Sequence, residues 1–179
     1  MTTAISKFVL TVHVASSVGW LGAAASFLAL ALTGLTSMDV NLVQGAYLAM
    51  AVTGWSVVVP LALASLLSGL ILSLGTRWGL FRHYWIVIKL LITLVSVLIV
   101  VGFTPTLSLL RTLGADTTLS LGDLRHLGQS PVVHSAGGLL ALLVTTGLSA
   151  YKPRGVTPYG QRKQRETYVQ RKRSERKPS

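Results

Sequence analysis

The chain has 179 residues, of which 51% are apolar and 12% are charged, about half the charged share of an ordinary soluble domain. Ten of its sixteen Lys and Arg follow Tyr151, so the formal charge of +11 belongs mainly to a tail and is not a nucleic-acid footprint on a folded face. The absence of cysteine excludes disulfides, thiolate metal sites and cysteine nucleophiles.

The first apolar run, about 8–35, is long enough to span a bilayer. It outlasts a signal-peptide core and is expected to be a retained helix. His13 lies about two turns in, beside Ser16 and Ser17. Ala15, Gly19 and Ala23 repeat every four residues, with Gly22 and Ser26 one step around, as at close helix contacts. A short loop without Lys or Arg leads to the second span, about 45–74, which holds Pro60, Ser65 and Gly69. Pro60 removes one backbone hydrogen bond and is expected to kink this helix.

The second loop carries Arg77 and Arg82, with Trp78, Tyr84 and Trp85 suited to a water–lipid boundary. The third span, about 84–110, contains Lys89. Trp85, Lys89, Thr93 and Ser96 recur at four- and three-residue spacing and share its one polar face, which is expected to point into the bundle. A loop over about 111–131 follows. Its Leu119, Leu121, Leu124 and Leu127 suit either a short helix on the membrane surface or a plain polar loop. The fourth span, about 132–151, begins near His134 and includes Gly137, Gly138 and Ala141. The last segment, 152–179, has ten basic and two acidic residues and little to bury. It is expected to be largely disordered, and either to bind anionic lipid or only to fix topology.

These elements predict an all-α fold: a four-helix transmembrane bundle over residues 1–151 with a basic tail. Basic residues concentrate on one side if both termini face the cytoplasm, which predicts a multi-pass protein of the plasma membrane, N-in and C-in. The lipid bilayer is the first partner, and a homo-oligomer or a larger membrane complex is compatible with the small-residue faces.

Titratable groups at membrane depth usually have a function. Counted from Lys7 and Arg82, His13 and Lys89 lie about 9 Å and about 10 Å deep from one side, and so are level. Each also has a plainer reading, a histidine bonded to Ser17 or a neighbouring helix and a lysine snorkelling to the surface. His134 lies about 27 Å from that side, near the opposite boundary, where Tyr47 and Met50 of the second span are the candidate neighbours. Two axial ligands of one iron stand only about 4 Å apart, so a haem bridging His13 and His134 is disfavoured.

The order of His13, "TGW" at 53–55, "YWIVIKLL" at 84–91 and "HSAGGLLALLVTTGLSAYKPRGVTPYG" at 134–160 resembles the superfamily of the copper-resistance D proteins and the HemJ-type protoporphyrinogen oxidases. The resemblance is greatest to a branch of four-span bacterial proteins with basic tails, and it covers residues 7–160. It implies a haem-linked role, with His13 as a haem ligand and Lys89 as a functional lysine. One departure is that Lys7 stands six residues before the histidine, where the HemJ-type pattern places a lysine three before. With three Met and no Cys, a copper role has little to rest on.

The functional expectation is therefore binding of b-type haem for redox or haem-handling work. His13 would ligate the iron, Lys89 would hold a carboxylate or act as second ligand, and Trp85, Ser17 and His134 are further candidate site residues. The alternatives are a non-catalytic four-helix scaffold or accessory subunit, and a small dimeric transporter. No Ser-His-Asp pattern, intramembrane carboxylate pair, phosphate loop or zinc motif is present, so hydrolase, kinase and nuclease readings have no support.

Overall fold

The computed structural model describes residues 3–75, 83–116, 118–151, 155 and 157–175, and every element among them is helical. Arg77, Trp78, Arg82 and Lys152, used above to mark boundaries, lie outside the described residues. The elements are α1 (Thr3–Thr36), α2 (Val40–Thr53), a π-helical segment (Gly54–Val58), α3 (Val59–Gly75), α4 (Tyr84–Gly102), α5 (Thr104–Ala115), α6 (Leu121–Tyr151) and α7 (Pro158–Glu175). Four stretches are long and apolar enough to cross a membrane: Thr3–Thr36, Val40–Gly75, Tyr84–Ala115 and Gly128–Tyr151. They match the four expected spans, and the fold is an all-α four-helix bundle.

Helix α1 is the hub, packing on α2, α3 and α6. The second and third spans meet through α2 with α5 at one end and α3 with α4 at the other, and α4 closes the bundle on α6. The end holding the start of α1 and the close of α6 is called here the terminal end, and the other the loop end.

The second and third spans are each two helices. Pro60 has no N–H, and its ring would clash with the carbonyl four residues earlier in a regular α-helix. The chain widens into the π-helical turn directly before it, which accommodates that ring. Within this turn a Cβ on Gly54 would lie 2.6 Å from both Leu107 methyls, so the glycine admits α5 against the second span. The third span breaks at Phe103, whose N–H bonds the carbonyls of Ile99 and Val100, and restarts with a proline in the first turn of α5.

The loop end is more ordered than the expected loop of 111–131. Helix α5 runs to Ala115 and α6 starts at Leu121, leaving 116–120 as the connection. The cause is a packed core of Phe27, Ala31, Val43, Tyr47, Met50, Leu107, Leu110 and Leu124, with Leu119 against it. Tyr47 donates its hydroxyl to the Leu124 carbonyl at 2.7 Å, and Gln44 donates to the Asp116 carbonyl at 2.6 Å. Leu124 thus faces the bundle and not a membrane surface, and the side chain of Leu127 lies outside the described residues. The Asp116 carboxylate accepts from the Thr118 hydroxyl and N–H, and both bonds hold its carboxyl below the usual carboxylate range. Asp39 caps α2 by accepting from the Asn41 N–H at 2.9 Å.

The tail departs from expected disorder: Pro158–Glu175 is a helix. Thr157 caps it by accepting from the Gly160 N–H, Pro158 takes the first position, and the Gln, Lys, Arg and Glu that follow favour helix despite their charge. Its described side chains past Gly160 are exposed, and the Lys163–Glu166 pair at 3.2 Å is too exposed to contribute much.

A discriminating pair of substitutions follows. Gly54→Ala forces Leu107 to move and should cost about 1–3 kcal/mol, read as a lower melting temperature in detergent. Gly137→Ala meets nothing within 4 Å and should be neutral or slightly stabilising, since alanine is the better helix former.

Candidate functional site

Two cavities share no lining residue, and α4 borders both. The inner cavity, about 520 Å³, lies toward the terminal end between α1, α3, α4 and α6. It is lined by Lys7, His13, Gly69, Trp85, Lys89 and Ser149 among others. His13 and Lys89 therefore face one space, as their depths imply. Trp85 joins them there, while Ser17 does not line the cavity and instead bonds Ser65 across α1 and α3 at 2.8 Å.

The His13 ring is positioned by α3. Its Nδ1 lies 3.1 Å from the Ser65 carbonyl and 3.2 Å from the Ser68 hydroxyl. A carbonyl can only accept, so Nδ1 carries the proton and donates. Ser68 donates its own hydrogen to the Ala64 carbonyl at 2.5 Å, leaving its oxygen free to accept the same N–H. The neutral ring is thus the Nδ1–H tautomer. Its Nε2 lone pair has no hydrogen-bond partner among the described residues. A carbonyl behind one ring nitrogen is the arrangement that orients a metal-binding imidazole. The ring fits because α3 has a glycine opposite it: a Cβ on Gly69 would sit 3.0 Å from His13 Cε1.

Lys89 donates to the Ser149 hydroxyl at 2.7 Å, and Ser149 passes its hydrogen to the Thr145 carbonyl at 2.8 Å. Ser149 is two residues from the end of α6 and Lys89 five from the start of α4. The lysine therefore does reach toward the terminal end, but inside the cavity and not out into lipid. No carboxylate lines the cavity among the described residues, and the one ion pair among them is Lys163–Glu166. An ammonium at this depth without a counter-charge is costly.

His134 is exposed at the edge of the outer cavity, about 490 Å³, where Phe103 lies against it with ring centres 4.8 Å apart and planes tilted by 37°. Its Nδ1 donates to the Ser130 carbonyl at 2.8 Å. Tyr47 and Met50 do not complete a site with it, because both are fully buried in the loop-end core. Ser96, expected on the Lys89 face, also opens into the outer cavity, whereas Trp85, Lys89 and Thr93 open into the inner one. Gly137, Gly138 and Ala141 border this cavity; a Cβ on either glycine meets nothing within 4 Å, so they do not form the tight contact their size suggests.

Ser149, Ser68 and Gly69 were not among the expected site residues. Ser149 was within reach of sequence reasoning, since the third and fourth spans are antiparallel and both residues sit near the same ends. The roles of Ser68 and Gly69 depend on how α1 and α3 are rotated, which no single-helix pattern reveals. Among the described residues no three His, Cys, Asp or Glu group together as a metal cluster.

Fold and cavities define a multi-pass helical membrane protein with two intramembrane cavities, each bordered by a histidine. No family model, curated protein or solved structure matches the chain.

The hydrogen-bonding assignment has a direct check. ¹⁵N NMR of histidine-labelled protein in micelles should show neutral His13 as the Nδ1–H tautomer, and Gly69→Val should displace the ring and abolish that signature. An Nε2–H signal for His13 in the unsubstituted protein contradicts the geometry.

Proposed function

We propose that the chain binds b-type haem in the inner cavity, with His13 Nε2 as an axial ligand and the Lys89 ammonium paired with a carboxylate of the bound group. One observation carries this: a histidine whose Nδ1 is held by a carbonyl and whose Nε2 is unpaired lines the same cavity as a cation without counter-charge. Neutral imidazole suits haem iron. The cavity's volume lies in the range of about 300–1,000 Å³ typical of ligand sites. Its walls add Leu10, Leu66, Leu72, Ile86 and Leu90, apolar surface for a flat hydrophobic ring, with Trp85 at its edge. The resemblance of His13 and Lys89 to the first-span histidine and third-span lysine of HemJ-type proteins supports the same assignment.

When bound, the group would supply one-electron chemistry at a site shielded from water. The chain's own contribution is to fix the imidazole through Ser65 and Ser68, to hold the Lys89 ammonium through Ser149, and to exclude solvent with the leucines. In this reading the inner cavity opens toward the cytoplasmic face of the plasma membrane, because the basic residues of the tail and of 77–82 favour that side. Those same charges next to the bilayer suit α7 to anionic lipid.

The test is the visible spectrum of protein purified in detergent after exposure to haem, with and without dithionite. A b-type spectrum with a sharpened reduced Soret band is expected. His13→Ala should lose it, and Lys89→Gln should retain the band shape while weakening haem retention roughly tenfold, the scale of one charged hydrogen bond. A folded but colourless protein overturns the proposal and leaves the scaffold reading.

A further inference from the structure

The outer cavity is built for a ligand of its own. Its walls are Phe27, Val58, Leu91, Val95, Ile99 and Leu107 with others, apolar on every side. Among the polar residues that interrupt that surface, two are buried with an unpaired donor. Ser96 is 8% exposed and Trp20 is 3% exposed. Neither the Ser96 hydroxyl nor the Trp20 indole N–H has a partner among the described residues. Many other serines and threonines in the spans return their hydrogen to a carbonyl three or four residues earlier, Thr93, Ser135 and Thr145 among them. A buried unpaired donor is costly and calls for an explanation. Trp20 packs in a buried cluster with Val97, the residue after Ser96, and both Trp20 and Ser96 line the cavity. At the loop end of the same cavity is His134, whose Nδ1 is committed to Ser130, leaving Nε2 to accept.

We infer that the outer cavity binds a lipid-soluble quinone or its quinol. The indole N–H can only donate, so the ligand must present an acceptor oxygen near Ser96 and Trp20. With its Nδ1–H on the Ser130 carbonyl, His134 offers Nε2 as an acceptor, so a second oxygen, hydroxylated in the quinol, suits the other end. Ser96 lies twelve residues into α4 and His134 seventeen before the end of α6, which sets them about 8 Å apart in height at 1.5 Å per residue. A six-membered ring with C=O bonds of about 1.2 Å at opposite corners and a hydrogen bond of about 2.8 Å at each end spans up to about 11 Å, more than this difference in height. A phospholipid tail fills such a space but carries no oxygen at mid-span, because its ester carbonyls stay at the headgroups. Phe103, lying against His134, supplies an aromatic wall near one edge of the ring.

The probe is decylubiquinone, added to the full chain in detergent and followed by tryptophan fluorescence. The His13→Ala protein is titrated alongside, so that absorption by haem does not interfere and the result stands whether or not haem binds. Saturable quenching at one quinone per chain is expected in both. Gly138→Leu places its side chain in the open space of the cavity, where a Cβ meets nothing within 4 Å, and should abolish the saturable phase with helicity intact. Ser96→Ala, a change that leaves the fold undisturbed, should weaken binding about three- to tenfold, the scale of one neutral hydrogen bond. Decyl acetate, with the same tail and no ring, should not compete. Quenching that persists unchanged in Gly138→Leu and Ser96→Ala overturns the inference. So does displacement by decyl acetate at equal concentration, which would make the cavity a slot for lipid tails.

Discussion

A bilayer interior offers no water, so each polar group must find its partner within the protein. That constraint organises this molecule. Hydroxyls along the spans fold back onto their own helices: Thr11 on Lys7, Thr33 on Ala29, Ser73 on Gly69, Thr93 on Lys89, Thr146 on Leu142. The two breaks in the spans obey the same rule. The π-helical turn before Pro60 pairs the Gly54 carbonyl with the Val59 N–H, and the Phe103 junction sends its N–H to two carbonyls at once. Where nearly everything is paired, the exceptions carry information. Among them are the His13 Nε2, the Lys89 charge, and the buried donors on Ser96 and Trp20, and these four border the two cavities.

Much of the bundle is legible in the sequence because span length and hydropathy are one-dimensional properties. The pairing of His13 with Lys89 is legible too, since depth follows from counting residues along a helix of fixed rise. What counting misses is rotation. The stripe Trp85, Lys89, Thr93 and Ser96 reads as one face, yet its last member opens into a different cavity because the neighbours of α4 change along its length. Ser149 and Gly69 are unremarkable on their own helices and matter only for the side chain that faces them. The polar stretch after Arg111 reads as a loop by composition. It is mostly helix because Leu110, Leu124 and Tyr47 meet across three elements, a long-range contact that local pattern does not contain. The tail shows the opposite error: charge density argues against a core but does not prevent a capped helix of good helix formers.

Small residues divide by role in the same way. Gly34 lies against Tyr47 and Gly114 against the backbone of Gln44, where any side chain would collide, and both sit at the packed loop end. Gly137 and Gly138 have open space in front of them and border a cavity. In sequence these glycines are indistinguishable. In the fold the first pair lets helices meet closely, and the second leaves open the space in front of it that a larger side chain would fill.

The two cavities are also related by a simple repeat. His13 and Trp20 are seven residues apart on α1, and Lys89 and Ser96 are seven apart on α4. Seven residues are close to two turns, so each pair shares a face and differs in height by about 10 Å. Helices α1 and α4 run in the same direction, each starting at the terminal end, so both steps climb from the inner cavity to the outer. The upper cavity therefore stands over the lower one along two helices at once. The space between Trp20 and Ser96 is separated from that between His13 and Lys89 by about two helical turns. The buried contacts of Trp20, Ala62, Val97 and Leu142 hold α1 and α4 in register between the two levels.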